Sequence, residues 1–199
     1  NRFSTIGLTA KGTQGFYQPF EINEGKQMNP GTLLLINGND LKAGKDFFPF
    51  VFSPNISMEA LPSVALQEMD MPWFFNLSET LEENKNNPHF DLLEFIKSKA
   101  KKAKEKTATA LFIYNTSSID DKLEFNGKDK SAPLPIPVIY ISKASAQKFF
   151  KDESATTEMK LKIDIGDKKR TGNNVVGFID NGAFRTVVVG AHFDHLGFG

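Results

Sequence analysis

The chain has 199 residues, 40% of them hydrophobic and 24% charged, with 24 basic and 24 acidic side chains and a formal net charge of +0. That composition belongs to an ordinary globular protein with one large or two small cores, and the balanced charge favours neither nucleic acid nor an anionic membrane. The absence of cysteine excludes disulfides, thiolate metal sites and cysteine nucleophiles, and no run approaches the ~18 to 20 consecutive apolar residues of a transmembrane helix. Opening at Asn1-Arg2-Phe3, without a starting Met or a signal-peptide pattern, the chain is expected to be a trimmed or excised segment.

Residues 1–31 are rich in Gly, Gln, Thr and Asn. Their apolar residues (Phe3, Ile6, Leu8, Phe16, Tyr17, Phe20) show no sustained period, which predicts irregular or extended backbone with a short strand over 16–22. Apolar runs at 32–37 and 46–53, separated by Asn37-Gly38 and a Lys-Ala-Gly-Lys turn, predict strands, and Pro49 sends the second to a sheet edge or a bulge. Further strands are expected at 64–66 and 73–77. Leu92, Leu93, Ile96, Ala100, Ala103 and Thr107 recur at helical spacing behind Asn86, Asn87 and Pro88, predicting a helix over 88–106. Strands at 111–114 and 136–141 follow, then a short helix capped by Ser142 and running to Phe150. A period-two strand at 159–165 has one wet face.

Residues 168–173 read as a linker into a final hairpin with strands on either side of an Asn181-Gly182 turn. The second of these, over 186–191, leads into His192, Asp194 and His195 and a glycine-rich end. An apolar strand that stops at polar, metal-competent side chains is how a sheet presents a site at its edge.

A lone His-x-Asp is most often a surface or hydrogen-bonded pair, and His89 reads as a solvent-facing residue at a helix start. The lysines at 97, 99, 101, 102, 104 and 106 fit the solvated face of an amphipathic helix, with those near its C-terminus also suiting the helix dipole. The 19 phenylalanines point to core, although the neighbours Phe47-Phe48 and Phe149-Phe150 are not expected both to point inward from a two-sided strand or a helix face.

At His192-Phe-Asp-His195, preceded by Thr186-Val-Val-Val-Gly-Ala191, the chain resembles the two-zinc aminopeptidase family, which includes secreted bacterial leucyl aminopeptidases and, more distantly, glutamate carboxypeptidase and the transferrin receptor ectodomain. The resemblance implies that His192 ligates zinc and that Asp194 supports it from behind. Spacing agrees, because residues i and i+2 of an extended segment face one side and a zinc-bound imidazole hands its other N–H to a carboxylate. His195 takes no role from the resemblance. Upstream, the segments 35–49, 108–115 and 136–142 look like a protease-associated domain, a β-rich module inserted near the start of many such peptidases, and 15–22 resembles the piece before that insertion. In this module Thr107-Ala-Thr-Ala110 stands where relatives usually carry a glycine-alanine pair.

The resemblance therefore implies a mixed α+β chain: residues 1–23 as the N-terminal piece of a peptidase domain, 24–162 as the β-rich protease-associated domain with flanking helices, and 163–199 as the starting β-hairpin of a truncated α/β zinc-peptidase domain. It implies a zinc-dependent exopeptidase of aminopeptidase type acting on peptide or protein substrates, with two zinc ions in the parent, an extracellular, periplasmic or cell-envelope location, and no activity in this segment alone. Other implied roles are a protease-associated domain that shapes substrate access or mediates association, and a non-catalytic, receptor-like binding module on the same scaffold. No nucleic acid partner and no transmembrane segment are expected. Self-association through the terminal hairpin is expected if its apolar strand lacks a neighbour.

Overall fold

The structure, a computed structural model, describes residues 2–192. Its elements in chain order are α1 (Arg2–Thr5), β1 (Thr9–Ala10), β2 (Tyr17–Met28), β3 (Leu33–Ile36), β4 (Asn39–Leu41), β5 (Phe47–Pro49), β6 (Ser57–Ala60) and β7 (Pro72–Asn76). There follow α2 (Ser78–Asn84), α3 (Leu92–Glu105), β8 (Ala110–Tyr114), β9 (Val138–Ile141), α4 (Lys143–Phe149), β10 (Met159–Lys162), β11 (Ile165–Val175) and β12 (Gly177–Phe178). The chain is mixed, mostly sheet with few helices. It divides into a unit of Asn23–Lys169 and a discontinuous unit of Asn1–Ile22 with Arg170–Gly199.

The unit 23–169 is built on two sheets. One is antiparallel, in the order β4-β3-β10-β6. The other runs β5-β9-β8-β7, with β9, β8 and β7 parallel and β5 antiparallel at the edge. In β10 the expected alternation is present: Met159 and Leu161 are buried, Lys160 and Lys162 exposed, and Lys160 stands opposite Glu59, to which it is ion-paired at 2.6 Å.

β8 is buried along its whole length. Phe112 and Tyr114 join Phe74, Ile139, Ile141, Leu34 and Leu161 in the core against the antiparallel sheet. Leu111 and Ile113 join Trp73 and Val138, under Ile96, Ala100 and Ala103 of α3, on the opposite face. A central strand between parallel neighbours, covered on both faces, is a continuous apolar run for this reason. The same layering corrects the expectation for Phe47 and Phe48. Both are inward, at 1% and 7% exposure, because each face of β5 meets a different core. Each such ring contributes about 1.5–3 kcal/mol by burial. Pro49 lies on the edge strand, where its missing N–H costs no ladder bond.

The long helix begins later than its pattern suggests. Asp91, in an extended conformation, accepts from Glu94 N at 3.0 Å and caps it, while Asn87 Oδ1 accepts from His89 N at 3.1 Å and holds the preceding residues in a turn. At its end Thr107 N donates to Lys104 O at 2.9 Å and Ala108 N to Ala103 O at 3.0 Å. This paired closure puts Thr107 at φ 68, in the left-handed region that glycine normally supplies. α4 is capped by Ser142 as expected, its hydroxyl accepting from Ser145 N at 3.3 Å.

Two further expectations change. Residues 64–66 are irregular, because their neighbourhood bonds outward: Ala65 N donates to Glu153 O at 2.9 Å and Trp73 Nε1 to Glu68 O at 2.8 Å. Residues 168–173, expected as a linker, lie within β11, which pairs with β2. Lys26–Asp167 at 2.6 Å and Lys168–Glu24 at 3.6 Å line that pairing with opposite charges. β2 also approaches the 126–128 turn, where Lys26 N donates to Gly127 O at 2.7 Å and a Cβ on Gly25 (φ 109) or Gly127 would overlap backbone.

Within the discontinuous unit, β1 pairs antiparallel with β12, Thr9 opposite Phe178. Phe3 and Phe16 meet edge to face at 6.0 Å, and the Lys11 ammonium lies 5.5 Å from the Phe178 ring centre. Among the described residues no helix is long and apolar enough to cross a membrane.

Candidate functional site

His192 is exposed and ends a stretch, 179–192, that contains neither helix nor strand. Asp194 and His195 lie outside the described residues. At Asn181-Gly182 the backbone is held by side chains, Asp180 Oδ1 accepting from Gly182 N at 2.9 Å and Asn181 Oδ1 from Ala183 N at 3.2 Å, with Gly182 at φ 70. The expected hairpin does not form. Its first strand survives as the two-residue β12, whose partner is β1, and residues 186–190 are not a strand. Val187, Val188 and Val189 are 85%, 89% and 91% exposed, and Phe184 is fully so. A lone extended segment gains nothing from β propensity until a neighbouring strand takes its backbone groups.

Among the described residues no group of three His, Cys, Asp or Glu side chains comes together in a way that could hold a metal ion. These residues do not by themselves compose a zinc centre.

Two polar clusters of the unit 23–169 are satisfied internally. Asn115, 4% exposed, donates through Nδ2 to Ile119 O at 2.8 Å and Asp121 Oδ2 at 2.9 Å, and accepts from Ser117 N at 2.9 Å. Tyr140 Oη donates to the same Asp121 oxygen at 2.9 Å, and Tyr114 Oη to Glu153 Oε1 at 3.2 Å. Burial first, then the adjacent carboxylates, push both phenols above the ordinary tyrosine range. Fully used donors and acceptors of this kind brace a loop; they leave none of these groups poised for chemistry.

A concave surface edged by lysines lies between β7 and the C-terminal half of α3. It encloses about 410 Å³, with Trp73, Phe75 and Leu111 among its apolar lining and Lys99, Lys102, Lys106 and Glu105 around it. The Lys99 ammonium sits 4.3 Å from the Phe75 ring centre and 5.3 Å from that of Phe95. Sequence reasoning placed these lysines on a solvated face. The Phe95–Lys99 spacing of one helical turn was half of the signal, and Phe75 comes from a different element.

No protein-family model matches the chain. No curated protein matches it either. Solved structures to which it is similar include an aminopeptidase from Aneurinibacillus sp. strain AM-1, with 17% identity, TM-score 0.45, and coverage of 88% of this chain and 39% of that one. Another is the zinc aminopeptidase BSAP from Bacillus subtilis, with 17% identity, TM-score 0.47, and coverage of 81% and 36%. A third is a peptidase M28 precursor from Shewanella amazonensis SB2B, with 13% identity, TM-score 0.41, and coverage of 87% and 42%. The matches thus span about two fifths of the length of those proteins.

Proposed function

We propose that the chain is part of a zinc-dependent exopeptidase of the aminopeptidase type. In this reading residues 24–162 form a protease-associated domain that shapes substrate access or mediates association, and 1–23 with 163–199 belong to the peptidase domain. The observation that carries it is the interrupted unit: Asn1–Ile22 clusters with Arg170–Gly199 although Asn23–Lys169 intervenes. A module inserted near the start of a peptidase domain is the organisation that the sequence resemblance implies. His192 is assigned as a zinc ligand and Asp194 as the carboxylate that orients its ring. A zinc ion held there would lower the pKa of a bound water and polarise the scissile carbonyl. Substrates are peptides with free N-termini, and the setting is extracellular, periplasmic or cell-envelope.

The test is turnover of aminoacyl p-nitroanilides by the full-length protein in the presence of zinc, compared with its His192→Ala variant. A loss of about 100-fold or more on substitution is expected from removal of a ligand. Undiminished turnover in the variant contradicts the assignment, and no turnover in either protein leaves a non-catalytic binding module as the better account.

A further inference from the structure

We propose that the groove between β7 and the C-terminal half of α3 is a docking site for an extended acidic peptide segment carrying an aromatic or aliphatic anchor between its carboxylates. The inference uses residues of the unit 23–169 alone and stands independently of the peptidase reading. The floor is apolar and aromatic, from Trp73, Phe75 and Leu111, and the enclosed space of about 410 Å³ is in the range of pockets that bury a ligand group. Its rim sets Lys99, Lys102 and Lys106 against Glu105, an excess of positive charge.

These lysines differ from Lys97 on the same helix. Lys97 is consumed by Glu94 at 2.8 Å and Ser131 at 2.7 Å. Among the described residues neither Lys102 nor Lys106 is paired with a carboxylate, and Lys99 rests on aromatic faces instead. The helix dipole accounts for basic residues in the last turn, but it does not account for an aromatic floor beside them. Apolar surface continues out of the groove along the 61–71 loop, where Leu66 is 52% and Met69 73% exposed. That loop is fixed to the end of α3, since Asp70 N donates to Thr107 Oγ1 at 3.2 Å and Thr109 N to Met71 O at 3.1 Å.

Spacing selects the occupant. Lys102 and Lys106 are one helical turn apart, about 5–6 Å, and alternate residues of an extended peptide are separated by roughly 6.5 Å. Carboxylates at i and i+2 of a strand therefore reach both ammonium groups while the side chain at i+1 turns to the aromatic floor. A bilayer surface fits less well, because the lysines surround a recess rather than stand on a flat face.

Trp73 is the single tryptophan of the chain, so its emission reports on the groove directly. The probes are acetyl-Glu-Phe-Glu-Leu-Glu-amide, its Lys-Phe-Lys-Leu-Lys counterpart, and phosphatidylserine vesicles. The acidic peptide is expected to change Trp73 emission saturably and less strongly as salt is raised. The Lys102→Glu, Lys106→Glu double variant, with both changes at exposed positions and its melting temperature as a folding control, is expected to bind about tenfold more weakly or worse. A milder Lys102→Gln, Lys106→Gln pair covers the case of a misfolded double variant. No response to the acidic peptide, equal response to both peptides, unaltered affinity in both variant pairs, or a response to vesicles alone overturns the proposal.

Discussion

The side-chain amide of Asn55 holds both backbone groups of Ile165: its Nδ2 donates to Ile165 O at 3.0 Å, and Ile165 N donates to its Oδ1 at 2.8 Å. One side chain thus does the work of a ladder partner where β11 begins. Asn55→Ala removes both bonds and is expected to lower stability by about 1–3 kcal/mol. Chemical unfolding measures it, and an unchanged midpoint contradicts the bracing role. The same engagement gives Asn55 a structural reason to be asparagine.

Thr107 closes α3 in the left-handed region, at φ 68, and its hydroxyl accepts from Asp70 N. Substituting either Gly or Ala removes the hydroxyl, but only Gly also relieves the Cβ clash. Thr107→Gly is therefore expected to be more stable than Thr107→Ala by about 1 kcal/mol. Thermal denaturation of the pair decides it; equal stability would mean that the closure relaxes out of the left-handed region.

Tyr114 and Tyr140 have raised pKa values, chiefly from burial and secondarily from Glu153 and Asp121. A raised phenol stays neutral in the folded chain at pH values where the unfolded chain ionises. Its stabilising contribution is complete below about pH 10, the unfolded value, and is lost as pH rises through the folded one. Urea midpoints are expected to fall from about pH 10 upward, and less steeply in Tyr114→Phe and Tyr140→Phe. Identical alkaline slopes in variants and parent contradict this.

Residues 183–190 are exposed and irregular, whereas Lys168, Lys169 and Arg170 lie in β11. Trypsin is expected to cut after Arg185 before it cuts at 168–170. The bare valines at 187–189 favour association with a second copy, so light scattering should show mass rising with concentration and a smaller rise in Val188→Lys. First cleavage at 168–170, or equal monodispersity of both proteins, contradicts the two expectations respectively.

Legibility followed how each segment meets solvent. β10, with one face wet, shows its alternation, and the apolar stripe of α3 and the Ser142 cap were readable from local pattern. Strands buried on both faces carry no facing signal, which is why Phe47 and Phe48 misled. β11 failed for the opposite reason: with almost every side chain exposed, its charges resemble a linker. In the candidate site the His-x-Asp pattern was legible as a motif, but a strand at 186–191 required a partner that propensity cannot supply. The Lys99–Phe75 contact joins a helix to a strand distant in sequence and becomes visible only in the fold.

On the proposed assignment, His192 binds zinc in the full-length protein. Metal content by mass spectrometry after dialysis against low zinc, for the parent, His192→Ala and His89→Ala, tests it directly. Zinc is expected to fall in His192→Ala and to be unchanged in His89→Ala; the same zinc content in all three proteins would contradict ligation by His192.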